Sequence, residues 1–285
     1  MNTSYRSTTI ATNGIHLHVV QTGREDGIPV ILLHGFPEFW YGWRNQIDAL
    51  VEAGFRLYIP DQRGYNLSDK PPEIAAYNLD VLAADIVGLI DHIGVEKIRL
   101  VGHDWGGGAA WWLANKYPER LEKLTVLNIP HHAAFSRALR DNPVQKRKSW
   151  YMAFFQLPKI PELLIRLGNG SLFAKWAFKD SPGFTAEDIQ LYKQAWAQPG
   201  AITGMLNWYR AVRKTRPARL ASPRIQVPTL LIWGKRDAVF EPEIAQKSIE
   251  LCDDGCLAYI DHATHWVHHD AAEEVNRLLI EWLKA

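Results

Sequence analysis

The run Gly102-His103-Asp104-Trp105-Gly106-Gly107 sets a carboxylate between two glycines, each two residues away. A short, mostly apolar stretch, Ile98 to Val101, precedes it and reads as a buried strand. Gly106 to Lys116, rich in Ala, Trp and Leu, follows it and reads as a helix. A chain that turns so quickly from strand to helix needs a strained backbone at the turn and neighbours without Cβ atoms. Small-x-nucleophile-x-small is the spacing of a nucleophile elbow, which pushes the middle side chain out at the top of the bend. Ser usually holds that position; here it is Asp104. A carboxylate, with an ordinary pKa of about 4, needs no base to act as a nucleophile at neutral pH. The amide N–H groups and dipole at the start of the following helix favour its ionised form. Attack on an sp³ carbon leaves an alkyl ester, which water can cleave at the acyl carbon. Taken alone, the same Asp fits a helix cap equally well.

Such a nucleophile needs a second-step base to activate water, and His suits that task near pH 7. His265 lies in Asp261-His262-Ala263-Thr264-His265-Trp266, between the last strand and the last helix, with His262 as a rival in the same loop. His268 and His269 fall at the start of the last helix, where solvated or capping side chains are expected. An acid that orients the base belongs after a strand between nucleophile and base. Asp237, in Trp233-Gly234-Lys235-Arg236-Asp237, fits that place, although Gly-x-x-Asp also suits an ordinary turn. The corresponding position one strand earlier is Asn128, which carries no charge. Asp253, Asp254 and Asp261 belong to turns. Nucleophile, acid, His is the chain order of the α/β-hydrolase fold. That fold supports a tetrahedral oxyanion with the N–H after the nucleophile and one from an earlier loop, here Trp105 and Phe36.

The elements needed to position these residues are legible along the chain. Ser7–Ala11 and Ile15–Val20 read as strands around the turn Asn13-Gly14. Pro29–Leu33, Phe55–Pro60, Leu124–Leu127, Thr229–Trp233 and Leu257–Ile260 read as further buried strands. Helical spacing covers Trp43–Ala53, a stretch capped by Asn78 that runs to about Ile93, and Ala271–Lys284. Strands alternating with helices predict a mostly parallel sheet covered on both faces. Between about 131 and 222 the pattern changes to helical, aromatic segments without a convincing strand. The expected organisation is therefore a core of 1–130 and 223–285 with an inserted helical cap over 131–222.

The totals narrow the function classes. The chain has 285 residues, 32 Lys and Arg against 31 Asp and Glu, and a net charge of +1. Near-neutrality argues against a nucleic-acid partner or a polybasic membrane role. Twelve Trp suit an apolar pocket as well as a core. Cys252 and Cys256, four apart with no second pair, read as free thiols rather than a metal site. Met1 to Ala11 lacks the apolar core of a leader, and no stretch is long and apolar enough to span a membrane, so a cytoplasmic location is the expectation.

Four segments together are specific. His34-Gly35-Phe36-Pro37-Glu38, Asp61-Gln62-Arg63-Gly64-Tyr65, Gly102-His103-Asp104-Trp105-Gly106-Gly107 and Thr264-His265-Trp266 resemble those of epoxide hydrolases of the α/β-hydrolase fold, over nearly all of the chain. Asn66 stands where relatives often have Gly. The resemblance implies a reaction of epoxide and water to a vicinal diol through an ester on Asp104, with no metal and no cofactor. It also implies ring-opening roles for two cap tyrosines. Tyr151 precedes Phe155-Gln156, and Tyr209 lies in Asn207-Trp208-Tyr209-Arg210, contexts like those of the family's pair. Spacing alone would make both of them lid-packing aromatics, like Tyr192. Chemically, an opening epoxide oxygen needs an acid, and a phenol of pKa about 10 can donate to it in a dry pocket. His34, Pro37, Trp105, Phe155 and Trp208 are expected against a small apolar or aromatic substrate.

Two other readings compete. A haloalkane dehalogenase shares the Asp, the His and a Trp after the nucleophile, but one branch takes a second halide donor from Asn where this chain has Phe36. Paired cap tyrosines are superfluous for a halide. A non-catalytic receptor on the same scaffold is the other. A Ser esterase is excluded, because no Ser occupies the elbow. The sequence leaves open monomer or homodimer, and detoxification or catabolism.

Overall fold

The computed structural model describes residues 5–285. Residues 1–4, the beginning of the stretch read for a leader, lie outside the described residues. β1 (Arg6–Thr12) and β2 (Ile15–Thr22) pair antiparallel around Asn13-Gly14. Both turn residues have left-handed backbones, φ 44° and 74°, the geometry that Asn-Gly supplies in a two-residue hairpin. β3 (Ile28–Leu33), β4 (Phe55–Pro60), β5 (Ile98–His103), β6 (Leu121–Leu127), β7 (Thr229–Gly234) and β8 (Gly255–Ile260) complete one eight-stranded sheet. The spatial order is β1-β2-β4-β3-β5-β6-β7-β8, antiparallel up to β4 and parallel from β4 to β8.

Helices cover both faces. α1 (Arg44–Glu52), α2 (Leu79–Ile93) and α3 (Asp104–Lys116) follow β3, β4 and β5 in turn. α2 opens on Asn78, whose side chain accepts the Asp80 N–H at 2.9 Å, and ends at Gly94 with φ 81°. Between β6 and β7 lie α4 (His132–Asp141), α5 (Pro143–Lys148), α6 (Trp150–Phe154), α7 (Ile160–Arg166), α8 (Ser171–Ala177), α9 (Ala186–Ala197) and α10 (Ala201–Lys214), with no strand among the described residues. α11 (Glu243–Ile249) follows β7; α12 (Val267–Asp270) and α13 (Ala272–Lys284) close the chain.

Alternation along β3 sorts its side chains to opposite faces. Val30 and Leu32 join Trp43, Ile47, Leu279 and Leu283 on one face. Ile31 and Leu33 join Trp111 and Leu100 on the other, and this second cluster continues without a break into Phe155, Tyr192, Trp196 and Trp208 between β6 and β7. The helical segment is thus packed onto the carboxyl ends of the strands, the edge where α/β sheets place their sites.

Two sequence expectations shift. The third helix begins at Asp104 rather than Gly106, because the nucleophile's own strained residue supplies the turn. His268 and His269 are not solvated at the start of the last helix. They occupy the separate turn α12, are 1% and 6% exposed, and face inward.

Candidate active site

β5 delivers Asp104 to the carboxyl edge of the sheet, and the backbone there bends sharply. Asp104 has φ 45°, a left-handed conformation that a non-glycine residue adopts only under constraint. The constraint is close packing. A Cβ on Gly102 would lie 2.6 Å from the Gly106 carbonyl oxygen, and one on Gly106 would strike the Leu33 carbonyl. Side chains at either position would push β5, α3 and β3 apart. The glycines therefore let strand and helix close on each other, and Asp104 is held at the bend.

Two groups from separate parts of the chain meet its carboxylate, and a third supports one of them. The Phe36 N–H, in the loop after β3, donates to Oδ1 at 2.8 Å. His265 Nε2 lies 3.5 Å from Oδ2. On its other side, His265 Nδ1 pairs with Asp237 Oδ2 at 2.9 Å. Asp237 is fixed in turn by the Val239 and Phe240 N–H groups at 2.6 and 3.0 Å, and by the Asn128 side chain at 2.7 Å. A carboxylate with this many donors has one orientation. Its imidazole partner then keeps Nδ1 toward the acid and Nε2 toward Asp104. His262, the rival, has no contact with either acid among the described residues.

Burial of Asp104 favours the neutral acid, but the hydrogen bond and charge of His265, with lesser help from His103 and the Phe36 N–H, outweigh it. The carboxyl therefore titrates below its ordinary value. Burial alone would make His265 harder to protonate. Asp237 first, then Asp104, reverse this and raise it to about 10. The resting site is thus an ion pair in which Asp104 is anionic and His265 cationic.

Tyr151 and Tyr209 face the same space. Both line a cavity of about 160 Å³ with Phe36, Pro37, Asp104 and His265, and its other walls include Trp150 and Trp176. Their rings lie 5.9 Å apart, and Tyr209 also packs edge-on against Phe36 and Trp105, each at 5.1 Å. Burial, followed by the Asp104 charge, raises both phenols above their ordinary value, so each keeps its proton at any physiological pH. α6 carries Tyr151 and α10 carries Tyr209. Gln156 ties the two together by donating to the Tyr209 carbonyl at 2.9 Å.

Of the residues expected against substrate, Pro37 lines the cavity, and His34, Trp105, Phe155 and Trp208 are not among its lining residues. His34 is fully buried below the loop, where Nε2 accepts the Gln62 N–H at 3.0 Å and the carbonyl accepts the Gln62 side chain at 2.5 Å. It shapes the oxyanion loop from beneath. Trp208 donates to the Arg63 carbonyl at 2.9 Å and anchors α10 to the core. Phe155 and Trp105 pack on Tyr209 from behind, with ring centroids 4.9 and 5.1 Å away.

A buried cluster that sequence reasoning did not single out lies immediately below. Glu38, 1% exposed, receives the Tyr192 hydroxyl at 2.6 Å and His269 Nε2 at 2.9 Å on Oε1. His268 Nε2 and His103 Nδ1 lie 3.3 and 3.4 Å from Oε2. His103 Nε2 donates to the His265 carbonyl at 2.9 Å, so the cluster touches the backbone of the base. Burial opposes ionisation of Glu38, but His269 and His268, with the bonds from His103 and His268, hold it well below its ordinary value. Burial in turn pushes His268 and His269 down. Glu38, His103 and His268 have the residue types of a metal site and lie within reach of one another. The atoms that face one another, Glu38 Oε2, His103 Nδ1 and His268 Nε2, make no well-formed hydrogen bond, while Glu38 Oε1 is held by Tyr192 and His269 and His103 Nε2 by a carbonyl. The one available signal in the sequence was an acid at the end of a Gly/Pro turn, whose N–H closes the turn on the Gly35 carbonyl at 3.0 Å and leaves the side chain free for another task.

The sequence pattern of the alpha/beta hydrolase fold family matches residues 28–272. The chain belongs to that family, and its mostly parallel sheet flanked by helices is the one expected from the sequence. Its relatives narrow the class. It is 50% identical to the AB hydrolase superfamily protein YfhM of Bacillus subtilis, over 96% of both chains. It is 37% identical to Epoxide hydrolase 1 of Caenorhabditis elegans, over 94% of this chain and 68% of that one. Crystal structures of an epoxide hydrolase from Bacillus megaterium superpose with a TM-score of 0.89 at 33% identity, covering 98% of this chain and 100% of that one. One of these holds an inhibitor, and another holds the product (R)-3-[1]naphthyloxy-propane-1,2-diol. The protein is a hydrolase, and it is similar to epoxide hydrolases throughout its length.

Proposed function

We propose that the protein converts an apolar or aromatic epoxide and water to a vicinal diol through a covalent ester on Asp104. A single observation carries the reading. The ionised Asp104, the imidazole of His265 and two protonated phenols, Tyr151 and Tyr209, open onto one cavity.

In the first half, an Asp104 oxygen attacks one epoxide carbon and the C–O bond on that carbon breaks. The leaving oxygen takes a proton from Tyr151 or Tyr209 and keeps a hydrogen bond to the other. The raised phenols suit this role, since they remain donors until charge develops in front of them. Esterification then removes the Asp104 charge. His265 loses one of the two anions that held its proton, so it can release that proton to the phenolate left by ring opening, which restores the tyrosine and leaves His265 as the base. In the second half, neutral His265 takes a proton from water while the oxygen attacks the Asp104 acyl carbon. The N–H groups of Phe36 and Trp105 support the oxyanion. Collapse breaks the ester C–O bond, the diol oxygen takes the proton from His265, and the Asp104 carboxyl group passes its remaining proton to His265, which restores the resting ion pair.

Residues 131–222 act as the lid in this scheme, contributing both phenols and excluding water. An aryl ether epoxide is a reasonable substrate, given the naphthyloxy diol held by the Bacillus megaterium relative and the aromatic walls here. The test is a single turnover in heavy-oxygen water. The label should enter the Asp104 carboxyl group and stay out of the first diol released. Label in that first diol would rule out the ester route. Halide released from 1-chlorobutane, with no diol from styrene oxide, would instead support the dehalogenase reading.

A further inference from the structure

α7 places its apolar residues on the wrong side for a soluble helix. Ile160, Leu163, Leu164 and Leu167 recur at i, i+3, i+4 and i+7, which is one face, and that face points to solvent. Leu163 is 62% exposed, and the helix buries Pro161 and Ile165 instead. α8 repeats the pattern: Phe173 and Ala174 are buried, while Leu172 (59% exposed) and Trp176 (40%) face outward. Trp150 and Leu157, from α6 and the turn after it, are exposed as well. Eight of the thirteen exposed large apolar side chains among the described residues fall between 150 and 176. The helices that carry them adjoin: α7 contacts α8, and the Tyr151 ring of α6 lies 6.4 Å from Trp176. So much outward apolar surface in one place marks an interaction site rather than ordinary scatter.

The charge around it says what covers it. From 131 to 180 the chain has nine Lys and Arg against three Asp and Glu, although the whole protein is nearly neutral. Lys146, Arg147, Lys159, Arg166 and Lys175 are exposed within or beside the patch. Lys159 and Lys175 have no salt-bridge partner among the described residues. A second copy of this chain meeting the patch about a twofold axis would set these cations against their own equivalents. An anionic lipid surface complements both features, because apolar side chains enter the acyl boundary while Lys and Arg meet the headgroups. Among the described residues no helix is long and apolar enough to cross a membrane; short helices with an apolar outer face and flanking cations lie in the plane of the interface. The cavity opens at this face: Trp150 and Trp176 belong both to its wall and to the patch.

We propose that the outer face of α6, α7 and α8 docks on anionic bilayers and sets the cavity mouth at the lipid surface, where apolar epoxides concentrate. The delivery half of this statement rests on the epoxide reading; the docking half does not. The test is cosedimentation of the intact protein with phosphatidylcholine vesicles, with and without phosphatidylglycerol, read together with the tryptophan emission maximum. Binding should require phosphatidylglycerol, shift the emission to the blue and weaken as salt is raised. A Leu163→Glu/Leu172→Glu double variant should bind on the order of tenfold more weakly or worse. It should hydrolyse dissolved styrene oxide at the wild-type rate, since neither leucine lines the cavity. Wild-type protein that stays in the supernatant with every lipid overturns the proposal. So does a dimer, seen by sedimentation equilibrium without lipid, that the double variant abolishes. Vesicle binding without epoxide turnover would keep the docking and discard only the assigned reaction.

Discussion

Asn128 donates its side-chain N–H to Asp237 at 2.7 Å, on the carboxylate oxygen that also faces His265. The residue at the end of β6 therefore supports the acid at the end of β7 across the sheet. Asn128→Asp would keep the shape and the left-handed tolerance required at φ 43°, but it would place two buried carboxylates in contact. We expect a loss of about 2 to 4 kcal/mol in stability at neutral pH, with partial recovery as the pH falls and the introduced carboxyl takes a proton. Denaturant melts at several pH values check this. Equal loss at every pH would mean that repulsion is not the cause.

His265→Gln should separate the two half-reactions. Asp104 would still open the ring, and the ester would persist. Intact-protein mass spectrometry should show a stable adduct of substrate mass, and steady-state turnover should drop on the order of a thousandfold or more. An Asp104→Asn variant should form no adduct.

The ion pair of Asp104 and His265 links stability to pH. Asp104 is depressed, so its contribution is present above the ordinary value of 3.8 and is lost as pH falls through its folded value. His265 is raised, so its contribution is full below 6.5 and is lost as pH rises toward about 10. The stability gap between wild type and Asp104→Asn should be widest between these ordinary values and should narrow in alkali. In the same variant, ring-nitrogen NMR should show His265 losing its proton at lower pH than in wild type. No movement of that titration would argue against coupling.

Tyr151→Phe and Tyr209→Phe should each slow ring opening by about ten- to a hundredfold, and together by more. Phe keeps the ring contacts with Phe155 and Trp105, so melting should hardly change. Stopped-flow tryptophan quenching during ester formation reads the step directly. An unchanged rate in both single variants would remove the phenols from the mechanism.

Glu38→Gln tests the buried cluster. Losing the anion that receives Tyr192 and His269 should cost about 2 kcal/mol at neutral pH. Because Glu38 is depressed, wild type should lose that advantage as pH falls below the ordinary value of 4.5. Thermal melts across that range decide it.

Much of this was legible beforehand, for identifiable reasons. Fully buried strands such as Thr229–Gly234 announce themselves as apolar runs, and Asn78 and Gly94 punctuate α2 with chemistry specific to helix ends. β6 begins three residues earlier than its apolar run, because Glu122 and Lys123 lie toward the sheet's polar lower edge, where charge is tolerated. Asp104, Asp237 and His265 were visible because the elbow and the loops after strands impose local spacing. The Glu38 cluster was not. Its partners lie 154 and 231 residues away, and nothing local distinguishes a histidine that caps a helix from one that turns inward to meet a distant acid. Trp208 and His34 were misplaced for a similar reason: an aromatic near a site can hold the wall up as readily as line it.

Pro37 joins Phe36, which holds Asp104, to Glu38, which holds Tyr192, and its own carbonyl accepts the Trp196 indole at 2.6 Å. Helix α9 is thereby tethered to the same short peptide that carries the oxyanion donor. Raising the molecule's roof on that side would drag the donor off its target, so admission and chemistry would spoil each other. Traffic is better suited to the eave at Trp150, a cavity-wall ring that is 57% exposed and packs on Phe154 rather than on the oxyanion loop or either phenol.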